Sequence, residues 1–163
     1  MTPSITLRPA RDDDREFLYR VYASTRTEEL APLPWTDAEK DEFLRMQFDA
    51  QDHHYHTHFP DAQYDLIVRD GEPVGRLYVH RRDDEIRIID IALLAEHRRA
   101  AIGGSLLRGL LAEAATAGKP VRIHVESNNP AMRLYHRLGF TKVDETGVYH
   151  LMEWVPPQPT DPA

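Results

Sequence analysis

The residues best suited to chemistry fall in two stretches and one set of strand positions. The first stretch is a turn of mostly small residues, Arg98-Arg99-Ala100-Ala101-Ile102-Gly103-Gly104-Ser105, between an isoleucine-rich segment and a leucine-patterned one. Small side chains let a ligand approach the backbone closely. If a helix begins here, its first N–H groups lack intrahelical partners and its dipole adds roughly half a positive charge. Such a turn can seat a pyrophosphate, and Arg98 and Arg99 add positive charge beside it. The plainer alternative is a small-residue helix start with solvated arginines. The second stretch is Asn128-Asn129-Pro130-Ala131-Met132-Arg133-Leu134-Tyr135-His136-Arg137-Leu138-Gly139-Phe140, an asparagine-rich strand end entering a short helix. The strand positions are Asp90, Glu85 and Glu126, with His80 and His124. Each is a candidate base acting directly or through water, although strand carboxylates are more often solvated or salt-bridged. Asp90 stands out because it interrupts the apolar run of Ile86, Ile88, Ile89 and Ile91.

The run His53-His54-Tyr55-His56-Thr57-His58 has the look of a metal tract, with His54 and His58 one helical turn apart. No third ligand accompanies them, so a solvated helix end or a pocket rim is expected there and no metal site.

The elements that must position these groups follow from periodicity and punctuation. Alternation predicts a strand over 5–8, and Asp12-Asp13-Asp14 opens a helix running to about Tyr22. Ala31-Pro32-Leu33-Pro34 breaks the chain. Thr36 and Glu39 have capping-box spacing for a second helix reaching His58 and stopped by Pro60. The period then changes to two. Strands over 64–69 and 73–81 flank the Asp70-Gly71 turn, and a third covers 85–94. A helix over 103–117 ends at Gly118. A strand over 121–126 follows, then a helix over 130–138 with Asn129 as cap and Pro130 in first position. A hairpin of 141–145 and 148–154 closes the chain. The expected fold is α/β, a mixed and mostly antiparallel sheet flanked by helices, with one domain over 1–155 and a proline-rich, disordered tail over 156–163.

Composition narrows the function classes. With 163 residues, 41% hydrophobic and 29% charged, the chain suits one soluble domain. No apolar run is long enough to span a membrane, and the first residues lack a basic stretch followed by an apolar core. Zero cysteines remove disulfides, thiolate metal sites and a cysteine nucleophile. A formal charge of −7 argues against nucleic acid as partner and suits a cationic substrate, though acidity also serves solubility alone. A cytoplasmic location is the default expectation.

Taken together, the two stretches resemble the GCN5-related N-acetyltransferase (GNAT) family. Its first motif, Gln/Arg-x-x-Gly-x-Gly/Ala, reads here Arg98-x-x-Ala101-x-Gly103. Its second, Asn-(Pro)-Ala-x-x-Leu-Tyr-x-x-x-Gly-Phe, is matched almost throughout from Asn128 to Phe140. The resemblance implies a GNAT-like acyl-CoA N-acyltransferase fold and an enzyme moving an acetyl group from acetyl-CoA to a primary amine of a small molecule or peptide. It implies that the pantetheine arm pairs with the backbone of Ile91, Ala92 and Leu93. It places the pyrophosphate on Arg98, Arg99, Ala100, Ala101, Ile102, Gly103, Gly104 and Ser105, and gives Asn128 or Asn129 a cofactor contact. Tyr135 becomes the general acid for the departing thiolate. Tyr19, Tyr22, Arg26, Glu28, Glu29 and Trp35 fall where the family shapes its acceptor pocket. Homodimers are common in the family, so self-association is an expectation.

The chemistry explains these requirements. An alkylamine with a pKa near ~10 must lose a proton before it attacks. Attack forms a tetrahedral oxyanion that a fixed backbone N–H near Leu93 could stabilise. The leaving thiolate resembles a cysteine thiolate, pKa about 8.5, so protonation by a hydroxyl helps without being indispensable. The departure from the motif is Ala101 where glycine is usual. If that position needs a positive φ, alanine strains the turn by on the order of 1 kcal/mol. That departure is also the one support for the alternative, a non-catalytic acyl-CoA-binding sensor or interaction module.

Overall fold

The computed structural model describes residues 4–98 and 101–157. Arg99, Ala100 and residues 158–163 of the tail, all named above, lie outside the described residues. The chain orders as β1 (Ile5–Pro9), α1 (Arg15–Leu30), α2 (Asp37–His58), β2 (Gln63–Arg69), β3 (Glu72–Arg81), β4 (Ile86–Leu93), α3 (Ile102–Ala117), β5 (Val121–Glu126), α4 (Met132–Arg137), β6 (Thr141–Thr146) and β7 (Tyr149–Trp154). The strands form one seven-stranded sheet in the order β1-β2-β3-β4-β5-β7-β6. Its β1–β2, β5–β7 and β6–β7 ladders are antiparallel and its β4–β5 ladder parallel.

By contact the described residues form two compact units: residues 4–78 with 90–98, and residues 79–89 with 101–157. The core of the first unit is aromatic and aliphatic. Tyr19 and Tyr22 of α1 meet Phe48 of α2 at ring distances of 5.8 and 5.9 Å, and Leu66, Ile67 and Tyr78 from the strands are fully buried. Thr36 caps α2 as its spacing predicts: its hydroxyl accepts from Glu39 N–H at 3.1 Å, and Glu39 accepts from Thr36 N–H at 3.0 Å. The core of the second unit joins Ile86 and Ile88 of β4, Leu107 of α3, Val121 and Ile123 of β5, Phe140 and Met152, each no more than 4% exposed.

Two expectations need correcting. The first helix runs to Leu30 rather than stopping near Tyr22, with Asp12–Asp14 as a separate turn of 3-10 helix before it. Its second half, STRTEEL, carries no apolar stripe. The hydroxyls of Ser24, Thr25 and Thr27 return to carbonyls of the preceding turn at 2.7, 2.7 and 3.1 Å, so they do not compete with the helix. At the other end, α4 starts at Met132, not Pro130. Asn129 Oδ1 accepts from Ala131 N–H at 2.8 Å and so holds the turn that precedes the helix.

At the sheet's end, all six residues of β6 are exposed, and its pairing with β7 slips between Lys142 and Asp144, leaving Val143 bulged and 49% exposed.

Candidate active site

In the first unit the C-terminal half of β4 carries the polar groups. Asp90 forms an ion pair with Arg76 of β3, whose side chain is only 3% exposed. The same Arg76 nitrogen donates to Gln51 Oε1 of α2 at 2.9 Å, and its guanidinium lies 5.1 Å from the Tyr78 ring. Burial pushes the Tyr78 hydroxyl up to about 12. Sequence reasoning singled out Asp90 and passed over Arg76 and Gln51. The available signal was a lone arginine inside the apolar strand run Val74-Gly75-Arg76-Leu77-Tyr78-Val79.

Just beyond, the strand ends in a fixed backbone. Leu94 N–H donates to Val74 O at 2.9 Å. Leu93 O accepts from Arg98 Nε at 3.0 Å, while Arg98 Nη2 reaches Ser24 Oγ of α1 at 3.3 Å. The Arg98 guanidinium, assigned from sequence to the pyrophosphate turn, is therefore engaged with the strand end and α1.

A cleft of about 620 Å³ opens between α1, α2 and the turn after β4, lined in part by Tyr19, Asp41, Leu94 and Glu96. Tyr19 donates to Asp41 Oδ1 at 2.6 Å. Burial, and then that carboxylate, hold the Tyr19 hydroxyl up to about 12. Of the other residues expected near an acceptor, Tyr22 is buried and hydrogen-bonded to Gln47, Arg26 lies over the Tyr22 ring, and Trp35 packs edge-on against Phe43. Glu28 and Glu29 are exposed on α1, Glu29 paired with Arg26 at 3.0 Å.

The histidine tract lies along the end of α2. The His54 and His58 rings lie with centres 4.1 Å apart, tilted by 32°, and His56 stacks on Tyr64 beside Asp52. Among the described residues no group of three metal-binding side chains converges.

In the second unit, α3 begins from Ala101 in the left-handed conformation, φ 59° and ψ 15°. Ser105 N–H donates to Ala101 O at 3.1 Å, and residues 102–104 form the first turn before it. No acidic residue occupies the first turn of this 16-residue helix. The positive end of a long helix suits a pyrophosphate, so this helix start is a candidate seat for the diphosphate of acetyl-CoA.

Asn128 is exposed in the loop after β5, whereas Asn129 spends its side-chain oxygen on the turn above. Tyr135 is 3% exposed, with its ring edge-on to Phe140 at 5.5 Å. Gly139 makes that contact possible. It takes φ 101°, a conformation that strains any side chain, with the Trp154 ring close against it, and the chain then returns Phe140 N–H to Tyr135 O at 3.0 Å. The Leu-Gly-Phe ending thus fixes the tyrosine ring.

The remaining candidate bases are occupied. Glu85, 4% exposed, is bound by Arg122 at 2.9 Å and Arg82 at 3.3 Å. His124 Nδ1 accepts from Arg87 at 2.9 Å, and burial, followed by that arginine, lowers its pKa below the usual histidine value. His80 Nδ1 accepts from Arg82 at 3.1 Å.

The chain is 29% identical over 142 residues to a Bacillus subtilis (strain 168) protein described provisionally as a ribosomal protein bS18-alanine N-acetyltransferase, spanning 85% of this chain and 82% of that one. It shares its fold with the paia N-acetyltransferase of Thermoplasma acidophilum in complex with coenzyme A: TM-score 0.70, 18% identity, 93% of this chain and 99% of that chain covered. It also shares it with yncA of Salmonella typhimurium bound to its cofactor acetyl-CoA: TM-score 0.57, 20% identity, 98% of each chain covered. The model of the acetyltransferase (GNAT) family matches residues 18–140, well over half of the sequence, so the chain belongs to that family and is an acetyl-CoA-dependent N-acetyltransferase.

Proposed function

We propose that this enzyme acetylates a primary amine of a small molecule or peptide by direct attack, with no acyl-enzyme intermediate. The observation that carries the reading is the start of α3, a 16-residue helix that opens from a left-handed Ala101 and has no acidic residue in its first turn. Acetyl-CoA supplies the activated acyl carbon. The residues of this chain bind it, orient it and move protons.

The pyrophosphate is held by the backbone of residues 101–105, with Asn128 as a further contact. The pantetheine arm pairs with the backbone of Ile91, Ala92 and Leu93. The ammonium first gives one proton through water to Asp90, which passes it to solvent; the free amine then attacks the thioester carbon, its second proton takes the same path, and the carbon–sulfur bond breaks. Leu93 N–H donates to the acetyl oxygen as negative charge develops there. The Tyr135 hydroxyl donates a proton to the departing sulfur and takes one back from solvent, which has received the amine's protons. Arg76 holds one oxygen of Asp90, which keeps the carboxylate in one orientation. The cleft offers the carboxylates of Asp37 and Glu96 to a cationic acceptor, while Asp41 is held by Tyr19 and Arg45. An N-terminal peptide amine is included because of the activity named for the Bacillus relative. A cytoplasmic location and a homodimer remain part of this reading.

Calorimetric titration with acetyl-CoA tests the donor side, with one molecule bound per chain at micromolar affinity or better expected. Thiol release is then screened over amines, including peptides with N-terminal alanine. Absence of acetyl-CoA binding would overturn the reading.

A further inference from the structure

A strand interior gains little from glycine, which packs nothing and costs entropy, so Gly75 in the middle of buried β3 calls for a reason. A side chain at that position would collide with the carbonyl oxygen of Ala92 and lie 3.1 Å from Leu93 Cα, with Leu93 Cδ2 at 2.9 Å. The obstruction is mainly backbone, so it cannot be relieved by a rotamer change. The Ala92 carbonyl therefore rests against β3 in space that only glycine leaves open.

The orientation of the next group follows from peptide geometry. The chain contains no cis peptide bonds among its described residues, and in a planar trans unit the C=O of one residue and the N–H of the next point in opposite directions. With the Ala92 carbonyl directed at Gly75, Leu93 N–H points away from β3. The following peptide agrees. Leu94 N–H donates back to Val74 O of β3, and Leu93 O, turned the opposite way, is taken by Arg98 Nε at 3.0 Å.

We infer that Gly75 is a positioning residue for acetyl transfer. By admitting the Ala92 carbonyl over β3, it turns Leu93 N–H outward as the donor to the acetyl oxygen. The inference rests on the reading above, in which Leu93 N–H meets that oxygen. It adds that a residue on the neighbouring strand, which touches no substrate, sets the donor's direction. Gly75→Ala must displace the Ala92–Leu93 peptide and misdirect the donor while leaving the turn at α3 untouched.

The test compares the parent enzyme with Gly75→Ala, using acetyl-CoA labelled with carbon-13 at the carbonyl and reading its infrared stretch when bound. Gly109→Ala, where an added methyl group meets nothing, serves as the control. The expected result is a lowered carbonyl frequency in the parent and in the control. In Gly75→Ala the frequency returns toward that of free acetyl-CoA, and kcat falls by roughly 10²-fold, the usual effect of losing one such donor. Binding of CoA, which has no acetyl group, should stay within about threefold, because no acetyl contact contributes to it. A bound frequency unchanged by Gly75→Ala would overturn the inference, as would unchanged kcat. Failure of the parent to bind acetyl-CoA would instead strike the reading on which it rests. Should Gly75→Ala not be recovered folded, amide exchange in the parent decides. Leu93 N–H must be better protected by acetyl-CoA than by CoA, and equal protection overturns the inference.

Discussion

Asp90 and Arg76 form an ion pair in which one partner is almost wholly enclosed, the arginine at 3% exposure and the aspartate at 21%. Such a pair is expensive to break on one side, because the survivor keeps its desolvation cost without its partner. Asp90→Asn should therefore lower both stability, by about 3 kcal/mol in urea unfolding, and turnover. The double replacement Arg76→Met with Asp90→Leu separates the two effects. It should recover most of the stability and none of the rate. Recovery of rate would remove Asp90 from the proton path.

Tyr135→Phe retains the ring that packs against Phe140 and removes only the hydroxyl. Turnover should fall about tenfold, less than the roughly 10²–10⁴ of a full general acid, since a thiolate is a good leaving group. Acetyl-CoA affinity by calorimetry should hardly change. Equal turnover of variant and parent at every pH would assign the hydroxyl a structural role.

Ala101 pays for its left-handed φ of 59°. That conformation costs alanine about 1–2 kcal/mol, and the greater freedom of glycine in the unfolded chain returns about 0.5–1 kcal/mol. Ala101→Gly should raise the melting temperature by about 1–3 °C. Acetyl-CoA should bind equally or more tightly. A marked loss of affinity would mean that the alanine methyl itself touches the ligand.

Asp14 accepts both guanidinium nitrogens of Arg8, at 2.8 and 2.9 Å, and Arg11 N–H at 2.8 Å. The Arg8 hydrogen bonds, more than any other cause, hold its carboxyl down to about 2. Its unfolded value is near ~3.9, so its contribution is fully present above that pH and disappears as pH falls through about 2. Screening at the surface limits the contribution to about 1 kcal/mol. The urea midpoints of Asp14→Asn and the parent should differ at neutral pH and converge in acid. A difference that persists at the acid end would contradict the assignment.

The sequence made most elements legible because their signals were local. The Thr36–Glu39 cap, the Asp70-Gly71 turn and the Gly118 stop each act within a few residues. Ala101 was legible as a problem, since only a positive φ makes an alanine there conspicuous. The second half of α1 was not, because STRTEEL has no apolar period and is rich in Ser and Thr, whose hydroxyls here bond back to the preceding turn instead of competing with the helix. Arg76, Gln51 and Gly75 were missed for another reason. Their partners lie on other elements, 14 and 25 positions away for Arg76, and no local pattern reports such a meeting.

The bulge at Val143 has a consequence for the protein in concentrated solution. β6 is the outermost strand, exposed along its whole length, and offers backbone groups to any extended segment that drifts alongside. A regular edge of that kind is a template on which chains stack into fibrils. The slipped register between Lys142 and Asp144 breaks the spacing a visiting strand would need, and the Lys142 ammonium, paired with Glu145 at 2.8 Å, keeps the edge hydrated. Straightening this strand by removing one residue at the bulge would leave the catalytic chemistry alone and shorten the shelf life of the protein.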